Sequence, residues 1–280
     1  MNFSTLVRHA LLLCTLASVL TSCDKNNNIS LFSVANDQEL GLQVSEQIAA
    51  DPDNYPLLPE EGNEEAYAYL RAMTDEILNS GQVQYKSEFA WEVHLIDQDV
   101  LNAFCTPGGY IYVYTGLIKY LDNIDDLAGV MGHEIAHADL RHSSRSLQKQ
   151  YGVGILLSIL LGDESSQLAE IAAGYANGLA ALKFSRSHES ESDDRSVEYL
   201  AHTDYACNGA AAFFEKLQED GMTSDNLEFL STHPSPDNRI ADINSKANEE
   251  GCDTHLSDDS TYGMTYAEFK ALFETPVSTQ

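Results

Sequence analysis

A short histidine-rich segment, GHEIAHADLRH at 132–142, constrains this chain more than any other feature. Residues i and i+4 lie on one face of an α-helix, so His133 and His137 can bind one zinc ion through neutral imidazole nitrogens. Glu134 follows the first histidine and can reach a zinc-bound water to accept its proton. The H-E-x-x-H pattern therefore predicts a helix that carries two metal ligands and a general base.

The third protein ligand of a catalytic zinc has to be found elsewhere in the sequence. In the pattern H-E-x-x-H-x-x-G-x-x-H, a glycine breaks the helix and a histidine three residues later completes the site. Leu140 and Ser143 stand at these two positions here, so the sequence predicts an unbroken helix. His142 then lies roughly 140° around that helix from His137. A surface or helix-packing role is therefore predicted for His142.

A glutamate from a later helix is the other common third ligand, with an aspartate four residues on that supports a ligand histidine. Between residues 138 and 199, only Glu189, followed by Asp193, has that spacing. We therefore predict Glu189 as the third ligand and Asp193 as the supporting carboxylate of a site for one zinc ion per chain.

The chain is strongly acidic, with 44 Asp and Glu residues against 15 Lys and Arg residues and a formal net charge of -29. Nucleic acids and anionic lipid headgroups are bound through positive patches, so this charge argues against nucleic acid as a partner and against membrane binding by charge. Protein or peptide substrates are the expected partners, and the sequence leaves the oligomeric state open.

The N-terminus has the features of a bacterial lipoprotein signal peptide. Its apolar run, ALLLCTLASVL at 10–20, is too short to span a bilayer. The following LTSC, at 20–23, resembles a lipobox, in which the cysteine is lipidated after cleavage. Cys23 is therefore predicted to carry a lipid anchor in the bacterial cell envelope, facing the periplasm. A conventional secretory signal cut near Ser22 is the alternative.

Hydrophobic periodicity predicts an α+β fold that is mostly helical. Helical spacing is found at 37–50, at 64–81 and through most of 166–250. Alternating residues at 91–97, and two strands within 101–116 that are joined at a Pro-Gly-Gly turn, predict a small β-sheet with a hairpin.

The sequence divides into four parts, and only one of them is a folded domain. They are a signal peptide at 1–22, a lipidated cysteine and tether at 23–36, a domain at 37–255, and a tail with a short helix at 256–280. The apolar run YGVGILLSILLG at 151–162 reaches only about 18 Å as a helix, so a buried helix is predicted. A hairpin that dips into the membrane is the alternative.

Apart from the lipidated Cys23, three cysteines remain after the predicted processing, in an oxidising compartment where disulfides form. Cys207 and Cys252 both occupy turn-like positions at helix ends, which predicts a disulfide between them. Cys105, inside the hairpin, is then a buried thiol. Three free thiols are the alternative.

Five motifs in this order resemble the zinc metallopeptidases of the CAAX prenyl protease and heat-shock membrane protease type, which are gluzincins, and most closely their soluble periplasmic lipoprotein members. The motifs lie between about 31 and 248 and read FSVANDQELGLQV, NAFCTPGGYIYVYTGLI, LAGVMGHEIAHADLRH, FSRSHESESDD and THPSPDNRI. The resemblance implies a zincin-type domain with zinc on His133, His137 and Glu189. It also implies Glu134 as general base and a supporting role for Asp193.

The function implied by this resemblance is that of a zinc-dependent metalloendopeptidase, which hydrolyses peptide bonds in envelope proteins, misfolded ones included. An extended peptide could add to the edge of the hairpin, with Asn102, Gly108 and Gly109 as candidate contacts. The alternative is a non-proteolytic envelope chaperone or assembly factor with a structural zinc.

The THPSPDNRI motif supplies two further candidates for the active site. The resemblance implies that this motif lies near the cleft. A neutral His233 could occupy the fourth zinc position and keep the resting site closed. As an imidazolium, His233 could instead stabilise the oxyanion of the transition state, as could Arg239.

Overall fold

The computed structural model describes residues 22–23, 29–30, 32–161, 164–179, 183–222, 227–234, 238–255 and 263–274, with the backbone alone at 22–23, at 29–30 and within 152–166. The predicted signal peptide apart from Ser22, and residues 24–28 and 31 of the predicted tether, lie outside these residues. So do the side chains of nearly all of the apolar run at 151–162.

The order of elements confirms the predicted α+β fold, in which helices dominate. Two short strands, β1 (Ser22–Cys23) and β2 (Ile29–Ser30), pair with each other ahead of the domain. The strands of the domain are β3 (Glu92–Ile96), β4 (Ala103–Thr106) and β5 (Tyr110–Tyr114). The helices are α1 (Val34–Ala49), α2 (Glu64–Leu78), α3 (Thr115–Tyr120), α4 (Ile124–Asp139), α5 (His142–Leu161), α6 (Glu164–Gly178), α7 (Arg186–Leu200), α8 (Gly209–Glu219), α9 (Glu228–Thr232), α10 (Arg239–Glu250) and α11 (Tyr266–Ala271).

The domain sheet has the order β3-β5-β4 and confirms the predicted hairpin. Strands β4 and β5 are antiparallel, with Cys105 opposite Ile111, whereas β3 runs parallel to β5. The connection at 107–109 places both of its glycines at positive φ, which a residue with a side chain rarely adopts. Strand β4 is therefore an edge strand of this sheet.

Helix α4, which carries the H-E-x-x-H pattern, is the centre of the domain. Asn123 caps its first turn by accepting a hydrogen bond from the backbone N–H of Asp126, and all sixteen residues of the helix are buried. A helix that is covered on every side needs small residues where its neighbours approach closely. Helices α7 and α8 pack against it on the side that holds Gly129 and Gly132.

Two glycines set how closely these helices approach α4. A Cβ added at Gly129 would lie 2.0 Å from the backbone nitrogen of Ala210 in α8. A Cβ added at Gly132 would lie 2.6 Å from Oγ of Ser196 in α7. The Ser196 hydroxyl donates a hydrogen bond to the carbonyl oxygen of Gly129, which ties the two helices together at this contact. A larger residue at 129 would push α8 away, whereas one at 132 would first displace the Ser196 hydroxyl of α7.

The prediction of an unbroken helix between His137 and His142 is wrong. Helix α4 ends at Asp139, and Arg141 adopts a left-handed backbone conformation with φ of 58° before α5 begins. The buried Arg141 guanidinium forms an ion pair with Asp37 of α1 and donates hydrogen bonds to backbone carbonyls at 32 and 33. These interactions offset the cost of the left-handed conformation, so the helix breaks without a glycine.

The C-terminal part of the domain is linked covalently and by packing to the same core. A disulfide joins Cys207 and Cys252, the pair expected from the sequence, and Cys105 is a buried free thiol. Helix α11, beyond residue 255, buries Tyr266 and Phe269, and the Tyr266 hydroxyl donates a hydrogen bond to the Ile118 carbonyl.

The apolar run continues as backbone helix within α5 up to Leu161. Within the described part of the chain, no helix combines the length and the apolar character that crossing a membrane requires.

The Gly132 contact generates a stability prediction. Gly132→Ala should lower the free energy of unfolding by about 1–3 kcal/mol, because the new methyl group overlaps the Ser196 hydroxyl. In a Ser196→Ala background the same change should be neutral or stabilising, because the nearest remaining atom is 3.5 Å away and alanine favours helix. Urea unfolding of the four variants measures both effects.

Gly178→Ala is the matched control, since no described atom lies within 4 Å of a Cβ built at this helical glycine. Equal destabilisation by Gly132→Ala in both backgrounds would contradict the contact with Ser196.

Candidate metal centre and active site

The three side chains predicted as metal ligands meet between α4 and α7. The Nε2 atoms of His133 and His137 lie 3.0 Å apart. Glu189 places Oε2 3.4 Å from Nε2 of His133 and Oε1 3.5 Å from Nε2 of His137. Zinc bonds to nitrogen and oxygen are about 2.0–2.2 Å long, so atoms at these separations can share one ion.

His233, which follows α9, offers a fourth donor atom at the same point. One ligand atom from each of His133, His137, Glu189 and His233 lies within 4.8 Å of the others. The Nδ1 atom of His233 pairs with the Thr232 hydroxyl at 2.9 Å. Its Nε2 atom is buried, has no hydrogen-bond partner among the described residues and lies 3.4 Å from Oε1 of Glu134, at the metal centre.

The polar atoms at this centre fit a bound cation. Both carboxylate oxygens of Glu134, both of Glu189 and Nε2 of His233 are buried and have no hydrogen-bond partner within the described residues. Burying such groups unpaired costs several kcal/mol in free energy, and a cation among them would offset that cost. Imidazole nitrogens together with a carboxylate are donors that zinc prefers.

The ionisation of the histidines is compatible with metal binding. Burial and the positive charge of His133 lower the pKa of His137 and of His233 well below the usual value, so both imidazoles are neutral at pH 7. Burial and the Arg239 charge lower the pKa of His133, but the nearby carboxylates of Asp193 and Glu189 outweigh them and raise it to about 9. Zinc binding at neutral pH therefore has to displace the His133 proton.

The predicted supporting carboxylate, Asp193, lies behind His133. Its Oδ1 atom is 2.8 Å from Nδ1 of that histidine, which leaves Nε2 directed at the metal centre. Arg239 donates two hydrogen bonds to Asp193, from Nε and from one terminal nitrogen, both 2.7 Å long. Burial raises the pKa of Asp193, but the Arg239 charge and the His133 hydrogen bond together lower it below its usual value.

Arg239 is itself held tightly, and its contacts are with the ligand groups. Its guanidinium lies 3.9 Å above the Phe214 ring, and one terminal nitrogen lies 3.3 Å from Oε2 of Glu189. The residue is 3% exposed. These contacts describe a cation that orients Asp193 and Glu189.

His142, which sequence spacing assigned to a surface or a helix contact, supports the second ligand histidine. Its Nδ1 atom lies 3.0 Å from Nδ1 of His137, and its Nε2 atom lies 3.2 Å from Oε2 of Glu191. With the His142 proton on Nε2, Nδ1 accepts the proton of His137, whose Nε2 remains free for the metal. The hydrogen bond from His142, aided by Arg145, holds the pKa of Glu191 well below its usual value.

The helix break at Arg141 explains why the sequence did not predict this pair. A continuous helix would carry His142 away from the face of His137, and no sequence rule indicates a left-handed arginine. The sequence does place Glu191 two residues after Glu189. This spacing indicates a partner for His142 only once α5 and α7 are known to pack together.

Glu134, the predicted general base, lies beside the ligand group. It is fully buried, and its Oε1 atom is 3.4 Å from Nε2 of His233. Burial, with the negative charge of Glu189 adding to it, raises the pKa of Glu134 to about 8 even though the positive charges of His133 and Arg239 lower it. A bound cation would lower this pKa and so favour the carboxylate form, which a general base requires.

The predicted peptide contacts separate into two groups. Asn102 lines a cleft that also contains His233, so it lies beside the metal centre. Gly108 and Gly109 are buried, and a Cβ at either would lie about 3 Å from the chain's own atoms, at Asp37 and at Trp91. These two glycines pack the hairpin turn against α1 and the segment before β3, so the structure does not support them as peptide contacts.

Sequence comparison identifies the family. A family model described as Peptidase family M48 matches residues 64–247, a range that includes every ligand and supporting residue of the centre. The chain belongs to peptidase family M48. This family of peptide-bond hydrolases is the one indicated by the sequence motifs, so that prediction is confirmed.

Relatives in this family carry protease names. The beta-barrel assembly-enhancing protease of Escherichia coli (strain K12) is 35% identical over 167 residues, which cover 55% of this chain and 34% of that protein. The mitochondrial metalloendopeptidase OMA1 of Schizosaccharomyces pombe is 32% identical over 160 residues, covering 56% and 47%. The chain thus spans less than half the length of these relatives.

The contact behind His137 generates a prediction about metal affinity. His142→Ala should raise the zinc dissociation constant about 10- to 100-fold, because the acceptor that orients His137 is lost. His142→Gln, which retains an acceptor oxygen, should recover part of that loss. Competition with a chelating dye measures the affinity.

His202→Ala, at an exposed histidine, is the control and should bind zinc like the wild type. Unchanged affinity in His142→Ala would show that His137 does not depend on this contact.

Proposed function

We propose that the protein is a zinc-dependent metalloendopeptidase of the bacterial cell envelope, with His133, His137 and Glu189 as zinc ligands and Glu134 as general base. The observation that carries the proposal is Glu134, a fully buried carboxylate with no hydrogen-bond partner among the described residues, beside four converging metal donors in a member of a peptidase family. A buried carboxylate in this position is costly unless it has a chemical role.

Zinc, when bound, would polarise the scissile carbonyl and lower the pKa of the attacking water. The residues of the chain perform the remaining tasks. The Glu134 carboxylate accepts the proton of the water and delivers it to the nitrogen of the leaving amine. Asp193 and His142 keep the Nε2 atoms of the ligand histidines free, and Arg239 holds Asp193.

The substrate lies against the edge of the sheet in this proposal. Strand β4 pairs only with β5 among the described strands, and it packs against α4, which carries Glu134. The Glu134 carboxylate lies close to the backbone of Cys105 in β4, which lowers its pKa slightly without a hydrogen bond of normal geometry. An extended peptide that adds to β4 would therefore bring its carbonyl groups close to the metal centre.

His233 is proposed as a fourth zinc ligand in the resting protein. Its unpartnered Nε2 atom and its depressed pKa support this role over that of an imidazolium that stabilises an oxyanion. Arg239 is committed to Asp193 and Glu189, which supports an orienting role for it.

A second function is favoured by the same fourth donor. Four protein ligands complete the tetrahedral sphere of a structural zinc, as in a non-proteolytic envelope chaperone or assembly factor. Glu134 distinguishes the two functions, because a structural zinc has no use for a base. The name of the Escherichia coli relative, which refers to beta-barrel assembly and to a protease, fits either function.

The proteolytic function predicts separate effects for the base and for a ligand. Glu134→Gln should retain zinc and lose casein cleavage by at least about 100-fold, since only proton transfer is removed. Glu189→Ala should lose both zinc and cleavage. Zinc content by atomic emission, measured on the samples used for the cleavage assay, separates the two effects.

Near-normal cleavage by Glu134→Gln would remove its role as base. If the zinc-loaded wild type cleaves no casein or other unfolded protein, the proteolytic function fails and the structural-zinc alternative gains support.

The envelope location is proposed from the N-terminal sequence. The lipobox-like LTSC and the preceding apolar run support processing at Cys23 with lipid on that cysteine. Two or more acyl chains anchor a protein stably, whereas one chain does not. Protein or peptide substrates of the envelope would then be cleaved next to the membrane by a tethered domain.

The anchor is tested with Cys23→Ala. The wild type should fractionate with membranes, and the variant should become either soluble or unprocessed, because the lipid attachment atom is absent. Cys105→Ala is a control that removes a buried thiol elsewhere. Normal processing and membrane fractionation of Cys23→Ala would refute lipidation at this position.

A further inference from the structure

A cleft beside the metal centre contains a carboxylate that the proposed mechanism does not use. The cleft is narrow, with a free volume of about 30 Å³, so a substrate side chain can enter it only if the rings that line it rotate. It adjoins the metal centre through His233 and through Phe184, whose ring centroid is 4.0 Å from that of His137. The unused carboxylate belongs to Glu228, the first residue of α9.

The walls of the cleft are aromatic and are supported from behind. Tyr55 and Phe104 meet edge to face with ring centroids 6.4 Å apart, and Phe104 stacks on Tyr112 at 4.7 Å. Tyr114 lines the same space. Packed rings of this kind suit the methylene groups of a long side chain, and they can also contact a cation through their faces.

The polar groups at this cleft are hydrogen-bond acceptors. The Glu228 carboxylate accepts a hydrogen bond from Nδ2 of Asn102 at 3.3 Å. Asn102 is only 3% exposed, and its Oδ1 atom is buried with no hydrogen-bond partner among the described residues. The cleft thus holds a carboxylate and a buried amide oxygen to which no described residue donates.

The charge of Glu228 acts within the cleft and is not neutralised by residues that line it. Burial raises the pKa of Tyr55 and of Tyr114, and in both the negative charge of Glu228 raises it further. No lysine or arginine is among the described residues that line the cleft. A positively charged group from a substrate would complete the set of interactions.

We propose that this cleft is a specificity pocket for a lysine or arginine side chain next to the scissile bond of the substrate. The inference rests on the proposed proteolytic function. The methylene groups would lie against the rings of Tyr55 and Phe104 once these rings move apart, and the ammonium or guanidinium group would bind Glu228 and Oδ1 of Asn102. A phenol brings one donor, whereas an ammonium brings three and a guanidinium five, so a cation satisfies these acceptors better. The net charge of -29 also attracts cationic substrate chains to the protein.

The wild type is tested first, with a peptide library of randomised sequence. The purified, zinc-loaded protein should enrich lysine or arginine over leucine at one of the two positions that flank the cleaved bond. An enrichment of about tenfold or more is expected, since hydrogen bonds to charged groups are stronger than those between neutral groups. Mass spectrometry of the products identifies the residues at both positions, and it requires no assumed cleavage rule.

Variants then test Glu228 directly with matched peptides that carry lysine, leucine or glutamate at the preferred position. Glu228→Gln should lower kcat/KM for the lysine peptide about 10- to 100-fold. For the leucine peptide, the same variant should change kcat/KM by less than about threefold. Glu228→Lys should favour the glutamate peptide. Glu219→Gln, which removes the same charge from an exposed position on α8, should match the wild type on all three peptides.

Each outcome supports or overturns the specificity pocket. A library without basic enrichment overturns it, whether or not the variants fold. So does an equal loss on all peptides in a Glu228→Gln protein that retains zinc, because that result assigns the residue a structural role. If the zinc-loaded wild type cleaves nothing, the proposed function fails and the pocket fails with it, whereas cleavage without basic preference removes the pocket alone.

Discussion

The close approach of α4 and α7 at Gly132 controls the geometry of the metal centre. His133 is the next residue on α4, and Glu189 and Asp193 lie on α7 within two turns of Ser196, which touches the glycine. Because side chains have limited reach, the separation of the two helix axes decides whether one ion can bind both helices. Gly129 allows a similarly close approach of α8, which carries no candidate ligand but places Phe214 against Arg239.

Burial of so much charge is the second constraint, and it explains the residues that surround the ligands. His133, His137, Glu134 and Glu189 are nearly or fully removed from solvent, where unpaired ionised groups are costly. Asp193 and Arg239 balance one side of the centre, and His142 with Glu191 balances the other. The remaining unpaired atoms converge on one point, which a cation would satisfy.

The sequence was most informative where function depends on local spacing. The i and i+4 histidines, Glu134 between them and the Glu189–Asp193 pair follow from helix periodicity, and the hairpin followed from its glycine turn. The role of His142 was missed because Arg141 adopts a left-handed conformation held by Asp37, more than a hundred residues earlier. Gly108 and Gly109 were predicted to contact the peptide because, in sequence, a glycine in a tight turn cannot be told from a glycine whose exposed backbone binds a ligand.

The sequence by itself determined the helical character of the domain, the candidate metal ligands on α4 and α7, and the family. These features depend on neighbours within about one helical turn or on motifs of a few residues. The family resemblance placed His233 and Arg239 near the cleft, but only the tertiary structure decided which atoms they contact and that His142 and Glu191 support His137. The tertiary structure alone brought Glu228 beside Asn102, 126 residues earlier in the chain. Contacts of that kind arise from the packing of whole helices, and no local pattern encodes them.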